Sequence, residues 1–227
     1  MAQDYEALLK QILEAAACYK NGQAAAAAAP APAAPAGGLE PIPVGISNRH
    51  IHLSQADLET LFGPGYELTK IKDLKQPGQI ACKETVTIVG PKGALEKIRV
   101  LGPVRKATQV ELLLGDSFKL GIKPPTRMSG DLAGTPGCTI VGPAGTVVLS
   151  EGCIVAQRHI HMTAAEAAAY GVANGQIVSM EFDGPRGGVL ANVAIRAGEG
   201  HALECHVDTE EANALAITSK TTFKLIK

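Results

Sequence analysis

Histidine is scarce in this chain, yet four of its six histidines fall in two copies of one tetrapeptide, RHIH, at residues 49–52 and 158–161. Side chains two apart on a β-strand leave the same face, with Cα atoms roughly 6–7 Å apart, a span across which two imidazoles can converge on one metal ion. His50 with His52, and His159 with His161, are therefore candidate bidentate ligands. A lone His-x-His is often two unrelated histidines. Two copies, each followed by a hydroxyl residue and an acid three positions later, make coincidence a poor explanation.

The repetition extends beyond the tetrapeptide. RHIHLSQAD at 49–57 aligns with RHIHMTAAE at 158–166, VGPKG at 89–93 resembles DGPRG at 183–187, and VGPAG at 141–145 is a further variant. With an offset of 95 residues, TQVELLLGDSFKLGI at 108–122 falls on LECHVDTEEANALAI at 203–217, pairing Glu111 with His206 and Phe118 with Asn213. The chain reads as an internal duplication of one β unit. A metal open to substrate wants three protein ligands and a free position. The expected sites are His50/His52/Glu111 and His159/His161/His206. His201 has no counterpart, since Lys106 aligns with it, and Cys205 on the same strand as His206 turns its sulfur to the opposite face. Nitrogen and oxygen donors of this kind suit Zn²⁺ best, while Co²⁺, Mn²⁺, Fe²⁺ and Ni²⁺ also accept them. Two such sites close together would make a two-metal clamp.

The positioning elements are short. From residue 39 onward, β-branched runs broken by glycine (PVGIS, ETVTIVG, EKIRVLG, QVELLLG, CTIVG, TVVLSEG, CIVAQ, QIVSMEF, VLANVAI, LECHVDT, FKLIK) predict a mainly β barrel or sandwich. Few helices are signalled. Thr163 with Glu166 has the capping-box spacing, and Ser54 with Asp57 is a weaker relative. Residues 1–20 place Tyr5, Leu8, Leu9, Ile12, Ala16 and Tyr19 at helical spacing, and predict a tethered amphipathic helix. Residues 21–38, an Ala/Pro stretch with nothing bulky to bury, read as a linker. Such a helix needs a partner surface for its stripe; a frayed tail or a local oligomerisation helix are the alternatives.

Bulk composition excludes several classes of function. With 21 basic and 22 acidic residues, nothing draws the chain to nucleic acid or to an anionic membrane. The 25 glycines and 14 prolines, with aromatics at 4%, favour strands and turns over long helices. Five cysteines (Cys18, Cys82, Cys138, Cys153, Cys205) have no CxxC spacing, so a reducing cytosol is expected. Neither a membrane span nor a secretory signal is expected.

The repeated HIH, the segment GPVRKATQVE, the segment KPPTRMSGDLAGTPGCTIVGP and the detachable N-terminal helix together resemble the PduL-type phosphate propanoyltransferases, phosphotransacylases of bacterial microcompartments. The resemblance covers residues 40–227. It implies two small antiparallel β-barrels, one from residues 39–48 and 157–227 and one from 49–156, with short capping helices and the active site between them. It also implies two divalent metal ions per chain, held by the same six residues, with Arg105 binding phosphate. CoA contacts are implied at Ser47, Lys72, Arg99, Phe118 and Asn213. The implied reaction is acyl-CoA, propanoyl-CoA first, plus phosphate giving acyl phosphate plus CoA, by direct attack of phosphate on the thioester. A homo-oligomer inside a cytoplasmic microcompartment is implied, addressed to shell or core proteins by residues 1–20.

Two other readings fit the bare residues. One is a binuclear zinc hydrolase of a thioester or phosphoester, and the other a metal-binding scaffold without catalysis. No Walker A pattern is present, because GPKGALEK lacks the GK[ST] ending.

Overall fold

Alternating apolar runs build the described residues, 41–227 of the computed structural model, from short strands. These are β1 (Val44–Ser47), β2 (His50–His52), β3 (Lys70–Asp73), β4 (Ile80–Gly90), β5 (Gly93–Gly102), β6 (Gln109–Glu111), β7 (Thr126–Arg127), β8 (Thr139–Val141), β9 (Thr146–Val148), β10 (Cys153–Ala156), β11 (His159–Met162), β12 (Ile177–Phe182), β13 (Gly188–Ala197), β14 (Glu204–Asp208) and β15 (Lys224–Ile226). Short helices interrupt them: α1 (Gln55–Phe62), α2 (Asp116–Leu120), α3 (Ala164–Tyr170) and α4 (Thr209–Ala214). The fold is mainly β, as expected. The expected helix over 1–20 and linker over 21–38 lie outside the described residues. Among the described residues no helix is long and apolar enough to cross a membrane.

The strands form a six-stranded sheet in the order β1-β14-β11-β13-β12-β15, and a nine-stranded one in the order β7-β10-β6-β2-β5-β4-β8-β9 with β3 on β4. The expectation of two small antiparallel β-barrels is met in part. Pairs β1·β14, β2·β5, β6·β10, β7·β10 and β11·β13 are parallel, and the sheet curls as a half-barrel with an open strand order. A parallel pair needs a crossover rather than a hairpin. Here α1, β3 and β4 separate β2 from β5, and α3 and β12 separate β11 from β13. Hydrophobic alternation locates a strand but does not state the sense of its partner.

One pairing scheme recurs. In the larger sheet the run β6-β2-β5-β4 has β2 antiparallel to β6 and parallel to β5, with β4 antiparallel to β5. In the smaller sheet β14-β11-β13-β12 repeats those senses. The strand just before each histidine strand crosses over: β1 pairs with β14 and β10 pairs with β6. Each crossing is pinned by the arginine of RHIH. Arg49 Nε meets Asp116 Oδ2 at 2.8 Å, and Arg158 Nε meets Glu211 Oε1 at 2.6 Å. Asp116 begins α2 after β6, and Glu211 lies on α4 after β14.

The cores explain which way the histidines face. Ile51, between His50 and His52, is fully buried in a cluster with Leu53, Leu58, Ile88, Ile98 and Val100. Ile160 and Met162 alternate with His159 and His161 in the same manner, and pack with Met180, Phe182, Ile195 and Cys205. Period-two alternation therefore drives the imidazoles to the face opposite the core. Truncating Ile51 or Ile160 to Ala would cost about 2–5 kcal/mol and loosen the strand that aims them.

Helix ends follow local chemistry. Thr163 and Glu166 complete a reciprocal capping box at α3, whose C-terminus closes on Gly171 at φ 64°, a left-handed conformation that favours glycine. The Ser54 hydroxyl accepts from the Asp57 N–H at α1. Asp208 and Glu211 form a further capping box at α4.

Candidate metal and anion site

Each histidine strand lies beside the strand that carries its third donor. His50 is in register with Glu111 across β2·β6, and His159 with His206 across β11·β14. Directly paired residues share a face, so each triad converges. In both sets, His50/His52/Glu111 and His159/His161/His206, the three donor atoms lie within 4.8 Å of one another. The structure thus brings together all six residues singled out by the repeat.

The orientation of the rings suits a cation. His50 Nδ1 lies 2.8 Å from the Asn48 carbonyl oxygen, and His159 Nδ1 lies 2.8 Å from the Gln157 carbonyl oxygen. A ring that donates from Nδ1 keeps its Nε2 lone pair free, the usual arrangement of a metal-binding histidine. His50 Nε2 is 3.3 Å from Glu111 Oε2, and His52 Nε2 is 3.9 Å from Glu111 Oε1. In the other triad the Nε2 atoms of His159 and His161 are 3.0 Å apart. Outer contacts hold the ligands. Gln109 Nε2 donates to Glu111 Oε1 at 2.6 Å, and Glu204 Oε2 meets His206 Nε2 at 2.8 Å, while Nδ1 of His206 has no hydrogen bond among the described residues. His161 Nδ1 lies 3.0 Å from His201 Nδ1. Buried His52 Nδ1 has no hydrogen bond of ordinary geometry, although the Leu101 backbone is near enough to favour its protonation slightly.

Electrostatics keeps most of these rings neutral. Burial, with the charge of His50 and Arg105 beside it, pushes His52 down to about 3. Burial and His206 push His159 down to about 4, and burial with His159 and His206 pushes His161 lower still. His50 differs: burial opposes its protonation, but the Glu111 carboxylate outweighs burial and raises it. Burial would raise Glu111, yet neighbouring His50 holds that carboxyl well below the usual range. Neutral imidazoles and an ionised carboxylate are the forms that ligate metals.

Both triads open on one cavity of about 630 Å³, lined also by Asn48, Gln76, Arg105, Ser129, Arg196 and Glu204. Arg105 is part of that wall. Its N–H donates to the Leu53 carbonyl at 2.8 Å, and its guanidinium to Ser129 Oγ at 3.0 Å. Ser47 and Arg99 also line the cavity. Lys72 on β3, Phe118 on α2 and Asn213 on α4 are exposed and lie outside that lining, Phe118 at 83% exposure. Sequence reasoning missed Gln109, Ser129, Glu204 and Arg196. Arg196 had one legible signal, a cation at the end of the apolar run NVAI.

Gly45 provides the room for the second triad. A Cβ there would come within 2.8 Å of Glu204 Oε1 and 3.1 Å of the His206 ring. The cysteines in the described residues, Cys82, Cys138, Cys153 and Cys205, are all buried and line no part of the cavity.

The chain is similar in sequence to known proteins. A family model described as phosphate propanoyltransferase matches residues 43–218. A phosphate propanoyltransferase of Rhodopseudomonas palustris is 55% identical over 192 residues, covering 84% of this chain and 85% of its own. One from Thermotoga maritima is 59% identical over 179 residues, covering 78% and 85%. One from Salmonella typhimurium is 52% identical over 175 residues, covering 77% and 83%.

Proposed function

As the chain belongs to the phosphate propanoyltransferase family and is an enzyme of phosphate acyltransferase type, we propose that it interconverts an acyl-CoA and inorganic phosphate with acyl phosphate and CoA inside the histidine-lined cavity. Propanoyl-CoA is the proposed first substrate. The observation that carries this reading is the convergence of two metal-competent triads and Arg105 on one cavity.

His50, His52 and Glu111 would hold one divalent cation, and His159, His161 and His206 a second, with Zn²⁺ the best match to the donors. Ions bound there would supply Lewis-acid polarisation of the thioester carbonyl and would offset the charge of the oxyanion and the leaving thiolate.

The protein's own groups position the reactants. Arg105, anchored through its backbone and Ser129, retains guanidinium donors to grip phosphate bidentately and orient it towards the carbonyl carbon. A phosphate oxygen forms the new C–O bond, the C–S bond breaks, and its electron pair leaves on sulfur as the CoA thiolate, which takes a proton from solvent. Direct transfer is supported by the burial of the described cysteines away from the cavity. Ser47 and Arg99 would meet CoA at the cavity wall. Lys72, Phe118 and Asn213, on exposed elements, would meet its more distant phosphates and adenine.

We read the halves as two copies of one unit, each forming one β domain. The recurrence of strand senses and of the Arg49–Asp116 and Arg158–Glu211 pairs supports this. From their sequence, residues 1–20 would address the enzyme to shell or core proteins of a bacterial microcompartment, and a homo-oligomer is the proposed state.

Measuring CoA release from propanoyl-CoA with and without phosphate tests the reaction. Release that needs phosphate and yields acyl phosphate supports transfer. Phosphate-independent release would make the protein a hydrolase, and no release in metal-loaded protein would leave a scaffold.

A further inference from the structure

Arg196 differs from the other arginines of this fold. Among the described residues, Arg49 pairs with Asp116, Arg99 with the Cys82 and Lys83 carbonyls, Arg105 with Ser129, Arg127 with Asp131, Arg158 with Glu211 and Arg186 with the Ala214 carbonyl. Arg196, half-buried on the cavity wall, has no hydrogen bond or ion pair among them. A guanidinium partly withdrawn from water without an acceptor is unfavourable unless a ligand supplies one.

Its direction follows from the sheet. Arg196 on β13 is in register with His161 on β11. Neighbours in register share a face, so its side chain leaves the sheet beside that histidine, on the side away from the core. Its charge is felt by His159, His161 and His201, and by Arg105 from the other half. The nearby carboxylates are engaged already: Glu111 by His50 and Gln109, and Glu204 by His206 and Gln76. Two guanidiniums thus face one cavity from opposite halves, and Arg196 has all its donors to spare.

We propose that Arg196 is a second phosphate-binding arm, holding the anion from the side of the His159/His161/His206 triad while Arg105 holds it from the other. This rests on the transferase reading for the identity of the anion. Phosphate is favoured over the phosphates of CoA because Arg196 stands beside the candidate metal ligands. A pantetheine arm carries the CoA phosphates far from the reacting thioester. Two planar forks on one tetrahedral anion would fix its orientation as well as its affinity.

The test compares wild-type protein with Arg196→Gln and Arg196→Lys, each loaded with Zn²⁺ and matched for metal content. Inorganic phosphate binding is measured by calorimetry without acyl-CoA, and KM values are measured with propanoyl-CoA and with S-propanoyl-pantetheine. Arg196→Gln should weaken phosphate binding by about tenfold or more, Arg196→Lys by less, with the KM for either thioester unchanged. If Arg196→Gln does not fold, Arg196→Lys, which keeps the charge and loses the fork, carries the test through its weaker phosphate binding. Unchanged phosphate affinity in folded, metal-loaded variants would overturn the proposal. So would a penalty on propanoyl-CoA that vanishes with the pantetheine thioester, which would assign Arg196 to the CoA phosphates. CoA release that ignores phosphate would sink the transferase reading alone, and the binding constants would still decide Arg196.

Discussion

Glu204 Oε2 sits 2.8 Å from Nε2 of His206, two residues on, while Gln109 Nε2 donates to Glu111 Oε1, also two residues on, at 2.6 Å. A carboxylate partner of this kind fixes the orientation of the imidazole and so would hold its other ring nitrogen towards a metal. Glu204→Ala should therefore weaken metal binding at the His159/His161/His206 triad by about 10–100-fold while sparing the first triad. Competition against a chromophoric chelator resolves the two sites. Equal loss at both, or at neither, would show that Glu204 does not act through His206.

Removing one pair of imidazoles should remove one ion. The double replacement His50→Ala, His52→Ala is expected to lower metal content from about two ions per chain to about one, with the far-ultraviolet spectrum retained. Elemental analysis of purified protein decides it. Full metal content in the double variant would withdraw His50 and His52 from the ligand set.

At Arg105 the geometry of the donor matters more than its charge. Arg105→Lys loses the planar fork and the bond to Ser129, so KM for phosphate should rise about tenfold while KM for acyl-CoA stays near wild type. Parallel rises in both would point to a general distortion of the loop.

Acid stability has a source outside the lining of the histidine cavity. Burial would raise the Glu84 carboxyl, but hydrogen bonds from its own backbone, from Thr69, whose N–H lies 3.0 Å away, and from Tyr66 Oη at 3.0 Å hold its pKa below the ordinary value. A carboxyl depressed in the folded state contributes stability above its unfolded pKa of about 4.3, and that contribution is lost as pH falls through the folded value. Glu84→Gln should cost about 1–2 kcal/mol at pH 7 and flatten the loss of stability below about pH 4.3, with turnover unchanged. Urea denaturation at pH 7 and in acid measures both effects; a variant as acid-sensitive as wild type would contradict it.

The tail should be separable from catalysis. The six candidate ligands lie between His50 and His206, well after the Ala/Pro stretch of residues 21–38. Deleting residues 1–38 is expected to leave kcat and metal content intact, while abolishing co-localisation with a microcompartment shell in cells. Lost turnover would tie the segment to the catalytic fold, and normal localisation would place the address elsewhere.

The features legible in the amino-acid sequence are local or repeated. His50 and His52 share a face because a strand repeats every two residues, a property carried entirely within four positions. Glu111 and His206 are reachable because two halves of the chain can be laid against each other, so that a long-range partner leaves a trace as an offset. The capping box of Thr163 is legible for a related reason, since its donor and acceptor are three residues apart. The crossover of β1 onto β14 and of β10 onto β6 leaves no such trace, because pairing sense and partner are settled by which sheets close over which cores. The RHIH arginines, though repeated in plain view, gain a role only when α2 and α4 bring Asp116 and Glu211 to them. Arg196 shows in the sequence only as a cation ending an apolar run, and its place in the site depends on tertiary structure. Its register beside His161, and the single cavity shared with Arg105 from 91 residues away, arise from strand pairing that no local period encodes. The sequence alone determined the donors and the faces they occupy, through short-range backbone geometry. The fold decided which donors meet, because convergence across sheets is a consequence of packing.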